Sequence, residues 1–174
     1  MIRPATSADA AAIAGIYNHY VLNTSVTFEE EALSAAAMAA RMSEVLPSLP
    51  WLVTVEEGTI LGYAYAGKWK TRSAYRHSIE ATVYLAQDAT GRGLGTPLYR
   101  RLIDDLRLRG FHVVIGGVAL PNEASVALHA KLGFQKVAHF KEVGWKFGRW
   151  IDVGYWELIL ECDGGHATPL PPTT

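Results

Sequence analysis

Residues 90–95 read Thr90-Gly91-Arg92-Gly93-Leu94-Gly95, and they lie between a predicted strand at 78–85 and a predicted helix that runs to about residue 109. Glycines at such a junction let backbone N–H groups come close to a ligand, and the start of a helix favours anions. A phosphate site is therefore a reasonable hypothesis for this turn. A glycine-rich connector without a ligand is the alternative, and it is the commoner meaning of a bare glycine motif.

Two well-known phosphate-binding motifs do not fit the turn. A P-loop needs Lys followed by Ser or Thr after its last glycine, whereas Thr96 and Pro97 follow here. A dinucleotide fingerprint needs a third glycine where Leu98 stands and an acidic residue where Ala119 stands. Any phosphate bound at this turn must therefore be recognised in another way.

The hydrophobic pattern on both sides of the turn predicts a mixed α/β domain. Apolar residues at helical spacing predict a first helix, capped by Thr6, and an Ala-rich segment predicts a second. In chain order, the predicted elements are strand 2–3, a helix to about 21, helix 31–46, strands 51–56, 59–67 and 78–85, a helix to about 109, strand 111–118, helix 122–132, and strands 134–143 and 150–160. We assign residues 1–162 to one domain and expect the tail at 163–174 to be disordered.

The composition limits the class of protein. Of the 174 residues 49% are hydrophobic, and 16 Lys and Arg against 17 Asp and Glu give a net charge of −1. This balance argues against a protein whose main partner is nucleic acid, and the apolar fraction excludes a largely disordered chain. Positive charge is nevertheless concentrated in the loop at 68–76 and in the turn at 90–95.

The sequence gives no indication of a metal, a disulfide or a membrane. Cys162 is the only cysteine, and the histidines other than His129 show no metal-ligand spacing. No apolar run approaches the roughly 20 residues needed to span a bilayer, and the first ten residues lack a signal-peptide pattern. We therefore expect a cytoplasmic protein without a metal or a membrane partner.

The glycine turn resembles the acyl-CoA-binding turn of the GNAT acetyltransferases, whose pattern is Gln/Arg-x-x-Gly-x-Gly/Ala. Gly93 and Gly95 match this pattern, whereas Thr90 stands where the family has Gln or Arg. The departure removes one long polar side chain, and we expect Arg92 to replace part of its charge.

A second motif of the same family follows at 122–134. Asn122, Ser125 and the pair Gly133-Phe134 match the GNAT segment Asn-x-x-Ala/Ser-x-x-x-Tyr-x-x-x-Gly-Phe. His129 stands where most of the superfamily has a general-acid Tyr. Both motifs occur in the expected order and in the expected strand–helix context.

Over most of residues 1–160 the chain resembles one GNAT branch, the phosphinothricin and methionine sulfoximine/sulfone N-acetyltransferases, in which His at position 129 is normal. The matching stretches are 17–20, 50–53, 62–70, 72, 74–75, 80–84, 120–122, 144–146, 148, 150 and 152–154. The resemblance implies an α/β GNAT fold with a mixed central sheet and flanking helices. It also implies acetyl-CoA as the acetyl donor and a homodimer.

The resemblance assigns catalytic roles to two residues. Glu80, on the predicted polar side of its strand, corresponds to the general base that deprotonates the acceptor amine, although a lone strand carboxylate is more often simply solvated. His129 corresponds to the general-acid position and could protonate the CoA thiolate or act as a second base. A packed, hydrogen-bonded histidine is the structural alternative, and the sequence does not decide among the three.

The remaining site residues follow from the same resemblance. The positions expected to bind acetyl-CoA are Val83, Leu85, Gly91, Arg92, Gly93, Leu94, Gly95, Thr96, Asn122 and Ser125. The positions expected to bind the acceptor are Phe28, Lys70, Arg72 and Tyr75. Val83 and Leu85 would act through their backbone N–H groups, as donors to the thioester carbonyl or to the pantetheine arm.

The basic loop at 68–76 contains four cations and no acidic residue. A dianionic acceptor such as phosphinothricin needs cationic partners, whereas an RNA-binding loop or a plain solvated loop would look similar. The aromatic residues of a second basic stretch, 145–150, are expected mostly in the core. That stretch could instead join the pocket or a subunit interface.

The sequence therefore predicts an enzyme that transfers acetyl from acetyl-CoA to the α-amino group of a small anionic amino-acid analogue. Direct attack in a ternary complex is favoured because no plausible nucleophile lies in the motifs. Another amine, such as a natural amino acid, is one alternative acceptor, and the basic loop argues against a polycation. A non-catalytic acyl-CoA-binding regulator is the alternative from another class.

Overall fold

A computed structural model describes residues 1–160, and within them the chain forms one seven-stranded sheet with helices on both faces. The strands are β1 (Ile2–Pro4), β2 (Trp51–Glu56), β3 (Thr59–Lys68), β4 (Ser78–Leu85), β5 (Val113–Leu120), β6 (Gln135–Lys146) and β7 (Arg149–Ile159). The helices are α1 (Ala10–Asn23), α2 (Ala35–Val45), α3 (Gly95–Leu108) and α4 (Glu123–Lys131). The strand order is β1-β2-β3-β4-β5-β7-β6, and β4 and β5 are the parallel pair.

One apolar core lies under α3. Leu98, Leu102 and Leu106 repeat one helical turn apart and are completely buried against β-strand residues such as Ala64 and Val114. Truncating any one of these leucines to Ala would cost about 2–5 kcal/mol, because the cavity collapses only in part. This packing fixes the start of α3, and with it the glycine turn, against the sheet.

The second core lies on the other face, under α1 and α2, and it corrects the prediction for β4. Tyr84 lies four residues after Glu80 and so on the same side of β4, the side predicted to be polar, but it is buried, and its ring lies 5.3 Å from Tyr17 and 5.5 Å from Tyr63. The side chains of β4 do not alternate between buried and solvated, because helices cover both faces of this central strand and both sets of side chains are packed.

Several element boundaries also differ from the prediction. The second helix begins at Ala35 and not at residue 31, because Asn18 forms two hydrogen bonds with the backbone of Leu33 and Ser34 caps the helix. The strand predicted over 111–118 runs from 113 to 120, because the Phe111 amide donates to Leu106 O and closes α3. The predicted tail at 163–174 and Cys162 lie outside the described residues.

Thr6 is the N-cap of the short 3-10 turn over Ser7–Asp9 that leads into α1, as predicted, and Asp9 forms a capping box with it. The Asp9 carboxylate accepts a hydrogen bond from the Thr6 amide at 2.8 Å and two from the Arg3 guanidinium at 2.7 and 2.8 Å. These donors, chiefly Arg3, lower the pKa of Asp9 to about 2. The carboxylate therefore ties β1 to the beginning of α1.

The parallel strands β4 and β5 pair only over their first three residues. The pairs run from Ser78↔Val113 to Glu80↔Ile115, and beyond them the two strands separate. A gap therefore opens in the middle of the sheet directly after Glu80.

Candidate active site

The backbone of β4 presents hydrogen-bonding groups to this gap. The amide of Ala86 donates to Leu61 O on the β3 side at 2.8 Å. Because successive amides of an extended strand point to opposite edges, the amides of Leu85 and Val83 point to the β5 side, where no strand pairs with them. The Leu85 carbonyl is already used, since Tyr20 Oη donates to it at 2.6 Å.

A cavity of about 510 Å³ continues from the end of β4 to the start of α4. Its size and its mostly apolar walls suit an extended organic ligand. Eight of the ten positions expected to bind acetyl-CoA line this cavity: Val83, Leu85, Gly91, Gly93, Gly95, Thr96, Asn122 and Ser125. Arg92 and Leu94 are not among the lining residues.

The glycine turn has the backbone that its sequence requires. Gly91 and Gly93 have φ angles of +73° and +78°, a region that residues with a side chain rarely adopt. Arg92, between them, points to Glu56 and forms an ion pair with an N–O distance of 2.6 Å. The turn therefore exposes backbone and the start of α3 to the cavity, whereas the Arg92 guanidinium is engaged elsewhere.

Eight cavity-lining residues were not predicted from the sequence to bind acetyl-CoA, among them Tyr20 and Lys131. Tyr20 comes from α1 and contacts the end of β4, and Lys131 comes from the last turn of α4. Lys131 adds a cation to a cavity whose expected ligand carries phosphates. Lys131 lies inside the second motif, three residues before Phe134, and this position could have indicated from the sequence that it lines the cavity.

Glu80 lies on the α1/α2 face of the sheet beside Gly117. A Cβ built on Gly117 would be 3.4 Å from Glu80 Oε1 and 3.2 Å from Tyr155 Cε1, so this glycine leaves the space between the two side chains open. Burial raises the pKa of the Glu80 carboxyl above its ordinary value, and the positive charge of Lys70 opposes part of the shift. A carboxylate with a raised pKa can accept a proton more readily near neutral pH.

His129 lies on the opposite face, against Gly116. A Cβ built on Gly116 would overlap its imidazole, with Cδ2 at only 2.8 Å. Since Gly116 and Gly117 are successive strand residues, their Cβ positions point to opposite faces. The structure therefore does not bring the two predicted catalytic residues together.

The surroundings of His129 are those of a packed side chain. It is 4% exposed, and its ring lies among Tyr99, Phe134 and Trp156 at centroid distances of 5.0–6.0 Å. Nδ1 is 2.8 Å from Ser125 O, a contact that assigns the proton to Nδ1, and Nε2 is 3.4 Å from Tyr99 Oη. Burial lowers the pKa of His129, which favours the neutral imidazole.

The expected acceptor-binding residues come from two loops. Phe28 lies in the loop after α1, and its ring packs against Gly144 of β6. Lys70 lies 4.5 Å from the centre of the Trp69 ring, which in turn contacts Tyr155 edge to face at 5.3 Å. These contacts connect Lys70 to the Glu80 side of the sheet.

Arg72 and Tyr75 lie farther along the same loop, at a short 3-10 turn over Ser73–Tyr75, and both are exposed. The stretch at 145–150 corrects another expectation. Trp145, Phe147 and Trp150 are 54–58% exposed and do not belong to the core. Phe147 and Gly148 form the turn between β6 and β7, which sets these aromatic side chains at an open end of the sheet.

The family model for the acetyltransferase (GNAT) domain matches residues 2–154. The chain belongs to the GNAT acetyltransferases. The predicted fold and the predicted acetyl donor are thereby confirmed, and the protein is an acetyl-CoA-dependent N-acetyltransferase.

Similar proteins cover nearly the full length of the chain. A phosphinothricin N-acetyltransferase of Streptomyces viridochromogenes is 39% identical over 98% of this chain and 90% of its own. An L-methionine sulfoximine/L-methionine sulfone acetyltransferase of Salmonella typhimurium is 40% identical over 97% of each. The structure of yncA from Salmonella typhimurium with its cofactor acetyl-CoA superposes with a TM-score of 0.92 at 39% identity, covering 97% of this chain and 96% of that one.

Two further properties concern residues 1–160. They contain no cluster of three or more His, Cys, Asp or Glu side chains that could hold a metal ion. Each helix in this part of the chain is too short or too polar to cross a bilayer.

Proposed function

We propose that this GNAT enzyme acetylates the α-amino group of a small anionic amino-acid analogue, with phosphinothricin, methionine sulfoximine and methionine sulfone as the leading candidates. The observation that carries the proposal is the placement of Glu80. This carboxylate of raised pKa lies at the last β4–β5 pair, beside the gap, with the cation of Lys70 nearby. The names of the similar proteins support the same acceptor class.

In the proposed mechanism, Glu80 takes a proton from the acceptor ammonium, directly or through a water molecule. The neutral amine then attacks the acetyl carbonyl of acetyl-CoA, a C–N bond forms, and the C–S bond breaks with its electron pair going to the CoA sulfur. The acylated nitrogen loses its extra proton, and the CoA thiolate takes up a proton, directly or through water, so that the products are the amide and CoA-SH. The amides of Val83 and Leu85 face the gap and would stabilise the oxyanion or hold the pantetheine arm. Attack is direct, because no plausible nucleophile lies in the motifs, and holding both reactants in line supplies much of the rate.

We propose that His129 acts only on the CoA side of the sheet. Its imidazole binds Ser125, which lines the acetyl-CoA cavity, and its face of the sheet is opposite to Glu80. These contacts support a role in holding α4, and they disfavour a second base at the acceptor amine.

The acceptor would be bound by charge and by an aromatic wall. Lys70 and Arg72 supply positive charge for its carboxylate and for a second anionic or strongly polar group, and Phe28 and Tyr75 supply apolar surface. The same cations would repel a polyamine. We further propose a homodimer, supported by the exposed aromatic end of the β6–β7 hairpin, which light scattering in solution would test.

A CoA-release assay tests the function. The purified protein is mixed with acetyl-CoA and, in separate reactions, with phosphinothricin, methionine sulfoximine, methionine sulfone, a panel of natural amino acids and spermidine. We expect CoA release to depend on an anionic or sulfone-type acceptor and to be faster with it than with spermidine. Release only with natural amino acids would assign the alternative acceptor class, and acetyl-CoA binding without any acceptor-dependent release would favour the non-catalytic regulator.

A further inference from the structure

Lys146 is a buried cation that the sequence motifs leave without a role. Its side chain on β6 is 1% exposed. Its ammonium group donates to three backbone carbonyls, Val21 O at 2.7 Å, Thr27 O at 2.8 Å and Glu29 O at 2.8 Å. An ammonium group has three N–H donors, so each one has a partner in the chain.

The three carbonyls belong to the end of α1 and to the loop that carries Phe28. Two of them, at Thr27 and Glu29, lie on either side of Phe28 in the sequence. The loop is also held from the helix side, where Thr27 Oγ1 is 2.8 Å from Tyr17 Oη. Lys146 thus ties the segment at 27–29 to a strand more than a hundred residues away.

The Phe28 ring itself rests on the same strand. It lies over Gly144, where a Cβ would overlap the ring, with Cε1 at 2.9 Å. Gly144 and Lys146 are two residues apart, so their side-chain positions lie on the same face of β6. β6 therefore holds the backbone on both sides of Phe28 through the Lys146 ammonium group, and Gly144 of the same strand leaves the space that the Phe28 ring occupies.

We propose that Lys146 is a positioning residue for the acceptor, because it sets where Phe28 stands. This inference rests on the proposed function, in which Phe28 forms an apolar wall of the acceptor site. Removing the ammonium group would leave three carbonyls without a donor and would release the loop. The acetyl-CoA cavity is lined mainly by β4, the glycine turn and α4, and the segment at 24–29 contributes one residue, Val26, so acetyl-CoA binding should change much less than acceptor binding.

The kinetic test compares Lys146→Met, Phe28→Leu and the double variant with the wild type, using phosphinothricin or the best acceptor found. We expect Lys146→Met to raise the acceptor KM about tenfold and to leave the acetyl-CoA KM within about twofold. In the Phe28→Leu background the same change should have less than half its effect on a logarithmic scale, because residues acting as a unit are not additive. Lys141→Met is the matched control, since Lys141 is exposed on the same strand.

An unchanged acceptor KM in Lys146→Met, equal increases in both KM values, or full additivity with Phe28→Leu would overturn the proposal. If Lys146→Met does not fold, Lys146→Gln, which keeps two N–H donors, is measured in its place. Hydrogen exchange supplies a readout that needs no acetyl transfer. Amides at 24–29 should exchange faster in the Lys146 variant, and unchanged exchange would overturn the proposal even if the wild type proved inactive with every acceptor.

Discussion

Glu80 and His129 lie on opposite faces of the central sheet, each against one of two adjacent glycines of β5. Glu80 Oε1 and Tyr155 border the Cβ position of Gly117, and the imidazole of His129 fills that of Gly116. A methyl group at either position therefore probes one face alone. Gly117 lies on the face where the acceptor is proposed to react, and Gly116 lies on the face where α4 packs.

The two alanine substitutions should consequently have different effects. Gly117→Ala places a methyl group 3.4 Å from Glu80 Oε1, and we expect kcat/KM for the acceptor to fall about tenfold with the free energy of unfolding within about 0.5 kcal/mol of wild type. Gly116→Ala should instead destabilise the fold by about 1–3 kcal/mol, because the methyl group displaces a buried ring. Denaturant unfolding and steady-state kinetics check both. If the two variants lost kcat/KM and unfolding free energy to the same extent, the assignment of Glu80 and His129 to separate faces would be contradicted.

Replacing Glu80, the proposed base, should remove the rise of kcat/KM with pH. Burial raises the pKa of Glu80, so the protonated, inactive form persists above the ordinary range of a carboxyl group. We expect wild-type kcat/KM to rise with pH through that pKa and then to level off. Glu80→Gln should lower kcat about 10²-fold or more and abolish this rise. A retained rise with pH in a folded Glu80→Gln variant would assign it to another group.

The cationic loop can be tested against a matched arginine elsewhere. Arg72→Ala should raise the KM of an anionic acceptor about tenfold, because a charge-assisted contact is lost, and should leave the acetyl-CoA KM unchanged. Arg107, which pairs with Asp104 on the exposed side of α3, provides the control variant. Steady-state kinetics with both substrates varied will distinguish this result from misfolding, which would impair both KM values.

The glycine turn and the strand–helix order around it could be predicted from sequence because the signals are local. Gly91 and Gly93 have the positive φ angles that only glycine adopts easily, and β2 and β4 have the predicted bounds. The relative placement of Glu80 and His129 could not be predicted, since it depends on which face α4 covers. Tyr84 was placed wrongly for the same reason, because a period of two does not tell a solvated face from a second core.

Lys146 illustrates a different limit. Its partners at Val21, Thr27 and Glu29 lie 117–125 residues away. Each partner atom is a backbone carbonyl oxygen, so the side chains of these residues give no indication of the contact. From the sequence, the basic stretch that contains Lys146 could join the pocket or a subunit interface, whereas the fold buries Lys146 completely. Three acceptors in one place offset the loss of water around the ammonium group, and only the tertiary structure creates them.

Two cations near the acetyl-CoA cavity should differ in their effect on binding. Lys131→Ala should raise the Kd of acetyl-CoA about fivefold, since Lys131 lines the cavity. Arg92→Ala should change it less than twofold, because Arg92 is held by Glu56 in an exposed ion pair. Isothermal titration calorimetry at two salt concentrations measures both. A larger effect of Arg92→Ala would mean that the guanidinium leaves Glu56 to bind CoA.

The Arg3–Asp9 pair should make folding stability depend on acid pH. Hydrogen bonds from Arg3 lower the pKa of Asp9 from 3.8 to about 2, so the folded state favours the ionised carboxylate. The stabilisation is present above the unfolded-state pKa and is lost as pH falls from 3.8 to about 2. Because Arg3 is about one-third exposed, we expect about 1–2 kcal/mol. Asp9→Asn should therefore unfold more easily than wild type at neutral pH, with the difference in unfolding free energy shrinking as pH falls through this window. A difference that stays constant into acid would show that the ion pair does not supply it.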